Sequence, residues 1–273
     1  MPELPEVETI IRRLKGSGGA PSVLGQRIQS VEINWGKIIA LPDPPQFKQN
    51  LVGKTIIDAK RRGKFMYFPL DLGHLFAHLR MSGDMRLEKK SKPVEPYDRV
   101  LLNFSANYRM VFSNIRKFGR MWYTNDPEDV IGKLGTEPLS EYFTPLHLYE
   151  KLQAHSRQIK PLLMDQTFIA GLGNVYTDEA LFISGIHPLR PSDSLTRADA
   201  EHLHHAIQSV LREGIRSLGA SIDWIYRGGQ FQNYFKVYKR EGMPCPRCGT
   251  SIVKIRVGQR GTHLCPRCQI FKP

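Results

Sequence analysis

The feature that most restricts the fold is the placement of cysteine. All four cysteines, Cys245, Cys248, Cys265 and Cys268, fall within the last 29 residues. They read Cys-x2-Cys, a gap of sixteen residues, then Cys-x2-Cys. Each pair offers two thiolates to one tetrahedral ion, and the stretch between fits a β-hairpin. The spacing therefore predicts a ribbon built around one structural Zn2+. Four thiolates leave no open metal position for catalysis. Redox-active pairs or an iron–sulfur cluster are the alternatives that this spacing leaves. A secreted disulfide framework would distribute its cysteines otherwise. A segment this short cannot fold on its own apolar core, so metal binding should supply its folding energy.

Charge points to the partner. From Lys236 to Pro273 there are nine basic residues and one acid, Glu241, a net +8. The zinc tetrathiolate contributes about −2 to this, and the whole chain carries +13. Such an excess suits a polyanion. With 273 residues and 41% hydrophobic content there is room for two domains or so. No apolar run reaches the length of a membrane span, and the N-terminus lacks the apolar core of a signal peptide. A cytoplasmic protein is expected.

The N-terminus reads Met1-Pro2-Glu3-Leu4-Pro5-Glu6-Val7-Glu8. Pro2 is small enough for Met1 to be removed, which leaves a secondary amine at the chain end. An α-amino group titrates near 7.7–8.0, so part of it is unprotonated at neutrality. Such an amine can form an iminium with a sugar carbon, as lysine does in Schiff bases. Pro5 suits the first turn of a helix. Val7, Ile10, Ile11 and Leu14 form one apolar stripe at helical spacing, and Gly16 stops it. Acids lie in the first turn and bases in the last, as the helix dipole prefers.

Residues 17–27 read as a loop. Strands are expected at Arg27–Trp35, Thr55–Ala59, Lys64–Leu70, His74–Leu79, Met85–Lys89, Arg99–Phe104, Tyr108–Ser113 and Arg120–Tyr123. Short strands at this spacing predict a β-sandwich or barrel. Helices are expected at Pro127–Gly132, Pro145–His155, Pro161–Ala170 and Asn174–Ser184, with the turn Gly171-Leu172-Gly173 between the last two. A longer helix should start near Thr196, with Asp199 completing a capping box and Leu203, Ile207, Val210, Leu211 and Leu218 as its stripe. The triple His202, His204, His205 has no partners at ligand spacing and reads as surface.

Several stretches offer nucleic-acid contacts. Asn174 opens a helix, where free backbone N–H groups favour a phosphate. Arg260 lies in Val257-Gly258-Gln259-Arg260-Gly261, a glycine-flanked hairpin tip that would push its guanidinium outward toward phosphate. Met81, in His78-Leu79-Arg80-Met81-Ser82-Gly83, is a large apolar residue in an apparent turn.

These motifs, in this order, resemble the formamidopyrimidine-DNA glycosylase family, bacterial enzymes that excise oxidised purines. The resemblance rests on PELPEVE at the N-terminus, Arg61-Arg62-Gly63-Lys64-Phe65, the His78–Gly83 run, Ser113-Asn114-Ile115-Arg116-Lys117-Phe118-Gly119, the Ile159–Leu181 stretch and the cysteine ribbon. It implies an α+β multidomain chain. An N-terminal β-sandwich with a lead helix would span 1–130. A helical helix-two-turn-helix domain would span 131–235, with a lesion-capping loop at 219–240. A zinc ribbon would span 236–273. The resemblance makes Pro2 the nucleophile, Glu3 the general acid, and Lys64 and Arg260 helpers of elimination. Met81, Arg116 and Phe118 would fill the gap left by an extruded base. His78, Asn174 and Arg157 would contact DNA, with Lys160 adding positive charge. Tyr97-Asp98 stands where relatives often carry His-Asp, and Tyr97 would contact DNA from that position.

The implied activity is glycosylase followed by β,δ-elimination at the abasic site, on damaged double-stranded DNA, by a monomer. Two other readings stay open on the sequence: an endonuclease VIII-like enzyme for oxidised pyrimidines, and a non-catalytic damage-binding zinc protein.

Overall fold

A computed structural model describes residues 1–16, 20–221 and 228–271. It divides into two compact units. One comprises Met1–Lys133 and Ser221–Gly229, the other Leu134–Ala220 and Gln230–Pro273.

The first unit opens with α1 (Leu4–Lys15). Its stripe of Val7, Ile10, Ile11 and Leu14 is buried as expected. Glu3 is the N-cap, and its N–H donates to Glu6 Oε2 at 2.7 Å in a capping box. Gly16 ends the helix at φ +69°, where a Cβ would come within 2.7 Å of the Ala20 carbonyl oxygen. The unit continues with β1 (Ile28–Ile33), β2 (Ile39–Leu41), α2 (Pro44–Leu51), β3 (Lys60–Arg62), β4 (Phe65–Pro69), β5 (His74–His78), β6 (Gly83–Lys89), β7 (Asp98–Phe104), β8 (Tyr108–Asn114), β9 (Arg120–Thr124) and α3 (Glu128–Ile131).

Two sheets form, ordered β1-β7-β8-β6 and β2-β9-β5-β4-β3. All pairs are antiparallel except β2 with β9. Val31, Leu102, Phe104, Met110 and Phe112 of the first sheet share one core with Met66, Phe68, Leu75, Ala77 and Met121 of the second and with the stripe of α1. This is the expected β-sandwich with its lead helix. The helix packs on β3, β4 and β6. Arg61 Nε, donating to Glu8 Oε2 at 3.0 Å, ties it to β3.

Four expectations change, the first being β2, which forms where no strand was expected. Thr55–Ala59 is not a strand; only isolated bridges join Arg27 to Thr55 and Ile56 to Leu70. The strand at the sheet edge is the charged run β3, whose polarity concealed it and suits an edge. The helix α2 was not expected: Asp43 caps it by accepting from Gln46 N, and Phe47 and Leu51 anchor it.

The second unit holds α4 (Pro145–Gln153), α5 (Ile159–Met164), α6 (Asn174–Ser184), α7 (Arg197–Arg216) and the hairpin β10 (Val253–Val257) with β11 (Arg260–Leu264). The α6 bounds are those expected. Thr196 and Asp199 make the expected capping box on α7. Leu218 does not belong to its stripe; it lies beyond the helix, 52% exposed. His204 is buried rather than surface, with Nε2 at 2.6 Å from the Phe143 carbonyl oxygen.

The helix expected over Pro161–Ala170 stops at Met164. Side chains compete with it there for backbone bonds. Asp165 Oδ1 accepts from Thr167 N, Gln166 Nε2 donates to the Met164 and Leu172 carbonyls, and Gln166 Oε1 accepts from Gly171 N. Two turns therefore separate α5 from α6. Among the described residues no helix is long and apolar enough to cross a membrane.

Candidate nucleic-acid interface

The four cysteines converge as expected. Their Sγ atoms all lie within 4.8 Å of one another, with Cys245–Cys268 at 3.9 Å and Cys248–Cys265 at 3.5 Å. A tetrahedral Zn–S4 centre with bonds near 2.3 Å needs S–S spacings of about 3.8 Å, so the donor set fits one Zn2+. Each Cys-x2-Cys turn aims backbone at sulfur: Arg247 N donates to Cys245 Sγ and Cys268 N to Cys265 Sγ, both at 3.4 Å. The ribbon is not isolated. Phe182 of α6 shares a core with Val237, Cys245, Ile252 and Cys265. Glu179, buried on the same helix, accepts from the backbone N–H groups of Lys236, Val237 and Tyr238 at 2.8–3.0 Å.

Arg260 follows the two-residue turn Gly258-Gln259, whose φ angles are +51° and +62°. Two successive left-handed residues make the tight hairpin turn that matches strand twist. Arg260 is exposed there. With Arg157, Met164, Asp165 and Val257 it lines a cavity of about 290 Å³. Arg157 is half-exposed and paired with Asp165 at 2.9 Å.

Lys160 departs from expectation. It is fully buried, bonded to Asp178 Oδ1 at 2.6 Å and Thr262 Oγ1 at 2.7 Å. It adds no exposed charge. Asn174 Nδ2 donates to the Gly261 carbonyl at 3.1 Å, while its buried Oδ1 has no hydrogen-bond partner among the described residues.

In the first unit, Met1 is exposed while Pro2 and Glu3 behind it are buried at the start of α1. Lys64 is 4% exposed and precedes Phe65, which pairs with His78 across β4–β5. His78 Nδ1 accepts from Arg80 N at 3.0 Å, which puts the ring proton on Nε2. Burial, helped by the charges of Arg80 and Lys64, pushes its pKa down to about 3. His78 is a neutral donor.

Met81, Arg116 and Phe118 are brought together on two exposed loops. Met81 is 41% and Phe118 55% exposed, and Arg116 Nη2 donates to the Met81 carbonyl at 2.8 Å. Each loop turns through a left-handed residue that is not glycine: Arg80 at φ +54° and Lys117 at +60°. Such conformations cost of order 1–3 kcal/mol and persist only where the surroundings impose them. Tyr97 is also exposed, with the Arg99 guanidinium 5.8 Å from its ring centroid. Sequence reasoning passed over Asn114, whose fully buried amide bonds both loops. The glycines on either side of it in space, Gly83 and Gly119, were the available signal.

Of the loop expected to cap a lesion, Trp224 and Tyr226 lie outside the described residues. Phe231 and Phe235 are buried, Phe231 stacked on Tyr176 at 5.0 Å, so these two serve packing.

Residues 1–121 match the model described as the formamidopyrimidine-DNA glycosylase N-terminal domain. Residues 134–224 match the H2TH domain of the same enzyme, and 242–270 a zinc finger found in FPG and IleRS. The formamidopyrimidine-DNA glycosylase of Brevibacillus brevis is 42% identical over 278 residues, covering 98% of this chain and 99% of its own. That of Protochlamydia amoebophila is 41% identical over 279 residues, with 98% and 99% covered. Among solved structures, Lactococcus lactis Fpg with abasic-site DNA superposes at TM-score 0.91 and 37% identity, covering 98% of this chain and 100% of the other. MutM with DNA containing carbocyclic 8-oxo-G superposes at 0.90 and 38%, covering 99% and 100%. The chain belongs to the formamidopyrimidine-DNA glycosylase family.

Proposed function

We propose that this protein excises oxidised purines, 8-oxoguanine and formamidopyrimidines, from duplex DNA and then cleaves the strand at the abasic site. The observation that carries the reading is family membership along the whole chain, joined to a buried Pro2–Glu3 pair at the head of α1.

Removal of Met1 frees the Pro2 nitrogen. That nitrogen attacks C1′ of the damaged nucleotide while Glu3 protonates the sugar ring oxygen. The bond from C1′ to the base breaks, and the base leaves with its electron pair and gains a proton; the Pro2 nitrogen gives up its own proton, the C1′–O4′ bond opens onto the protonated ring oxygen, and a ring-opened Pro2–sugar iminium remains. The iminium acidifies C2′. Loss of that proton expels the 3′ phosphate, and a second elimination expels the 5′ phosphate. Lys64 and Arg260 assist these eliminations. Hydrolysis of the iminium returns Pro2, and a one-nucleotide gap flanked by phosphates is left.

His78 and Tyr97 of the first unit contact the DNA backbone, as do Asn174 and Arg157 of the second. Met81, Arg116 and Phe118 fill the space of the extruded base, since unstacking costs a few kcal/mol that such a wedge offsets. The net charge of +13 supports DNA as partner. The protein works as a monomer, in the bacterial cytoplasm where that DNA lies.

Borohydride reduction during turnover of a duplex with 8-oxoguanine opposite cytosine should trap a covalent adduct, and peptide mapping should place it on Pro2. An adduct on a lysine, or active protein that retains Met1, would overturn the assignment. Faster cleavage of thymine glycol than of 8-oxoguanine would move the enzyme to the oxidised-pyrimidine class.

A further inference from the structure

Asn114 ends β8 between the two loops that carry Met81 and Phe118. It is 0% exposed. Its Nδ2 donates to the Leu79 carbonyl at 3.0 Å, and its Oδ1 accepts from Phe118 N at 3.0 Å. One amide thus spans both loops. Its main chain reaches further: Asn114 N donates to the Tyr97 carbonyl at 2.9 Å, and Arg99 Nε donates to the Asn114 carbonyl at 2.9 Å. The neighbouring backbone closes tightly on it. A Cβ on Gly83 would lie 2.8 Å from Asn114 Nδ2, and one on Gly119 would lie 2.7 Å from it. Neither glycine can be replaced without moving the amide.

We infer that Asn114 is a positioning residue that sets the spacing of the Met81 and Phe118 loops, and so tunes insertion into duplex DNA. The inference rests on the reading of Met81, Arg116 and Phe118 as the wedge. Both loops pass through left-handed residues at Arg80 and Lys117, so they need an external tie to hold their shape. Ser82 supplies a second tie, with Oγ accepting from Arg116 N at 3.0 Å. Asn114 holds both loops from outside them through one planar amide, which fixes distance as well as attachment. Buried polar groups satisfied in this way rigidify their neighbours.

The test compares two substrates. A duplex with 8-oxoguanine opposite cytosine has a stack to be wedged open; a single-stranded oligonucleotide with a preformed abasic site has none. Asn114→Ala should lower duplex excision by about tenfold while single-strand cleavage stays within about twofold of wild type. Asn114→Asp, which keeps an oxygen for Phe118 N, should recover part of the loss. If Asn114→Ala does not fold, Asn114→Ser carries the same comparison, because its hydroxyl is too short to reach Phe118 N and the Leu79 carbonyl together. Equal losses on both substrates would reduce Asn114 to a general structural residue and overturn the proposal. So would unchanged duplex excision in a background where Phe118→Ala is impaired. If Phe118→Ala itself leaves duplex excision intact, the wedge reading beneath the proposal is what fails.

Discussion

The Lys160 ammonium donates to Asp178 Oδ1 at 2.6 Å, and neither side chain is more than 1% exposed. The same ammonium reaches Thr262 Oγ1 at 2.7 Å and the Gly261 carbonyl at 3.3 Å. Asp178 Oδ2 in turn accepts from His263 N at 2.9 Å. An ion pair between α5 and α6 therefore holds the first residues of β11, next to Arg260. Lys160 is a strut for the hairpin that carries Arg260, not an exposed charge.

Removing one partner of such a pair leaves a buried charge uncompensated, at a cost of about 3–5 kcal/mol. Lys160→Ala should lower the urea midpoint of the helical–zinc unit accordingly. The double variant Lys160→Met/Asp178→Leu should regain most of that stability, since apolar replacement of both partners is often neutral. It should not regain duplex affinity, because nothing would then hold Gly261 and Thr262. Wild-type affinity in a stable double variant would show that the strut does not aim Arg260.

Arg260 itself stands exposed at the end of a tight turn. Arg260→Ala should weaken binding by a similar factor on every sequence. It should also reduce the slope of log affinity against log salt by about one. Anisotropy titrations over a range of potassium chloride concentrations measure this. An unchanged slope would remove the phosphate contact.

Zinc loss should separate the two units. The ribbon core leans on Phe182 and shares Cys245 and Cys265 with the metal set, so Cys245→Ser removes a ligand and a core side chain together. Duplex affinity should collapse, while hydrogen exchange in β4, β5 and β8 stays slow because the sandwich core is complete without the ribbon. Chelation of the wild-type protein should do the same. Loss of protection in both units at once would contradict this.

Local signals in the sequence were read well, and distant ones were not. The stripe of α1, the capping box of Thr196 and Asp199 and the paired cysteines each lie within a few residues, and each is found where expected. Short-range chemistry hid α2, which has two prolines in its first turn and only Phe47 and Leu51 as a buried stripe. It also hid the end of α5, where Asp165 and Gln166 divert the backbone into turns. Lys160 and Asn114 were misread or missed for another reason. Their partners lie across the fold, Thr262 for one and Leu79 for the other, and no spacing rule connects such residues. A lysine bound for the interior and one bound for phosphate look alike until the carboxylate beside it is located.

His78 offers a test of charge at the interface. Its pKa falls to about 3 from an ordinary value of 6.5, chiefly through burial, with Arg80 and Lys64 adding to the effect. Between those two values the unfolded chain takes up a proton that the native ring refuses. Stability should therefore decline as pH falls through this window, by up to about 1.4 kcal/mol per pH unit from this group. Above pH 6.5 both states are neutral and the contribution vanishes. Urea midpoints at pH 7, 6 and 5 should show a shallower acid slope in His78→Gln than in wild type. DNA binding gives the second readout. A neutral imidazole donates Nε2–H to phosphate without displacing a counterion, so His78→Gln should weaken binding and leave the salt slope unchanged. A slope lower by about one would mean that DNA recharges the ring, and that His78 acts as a cation in the complex.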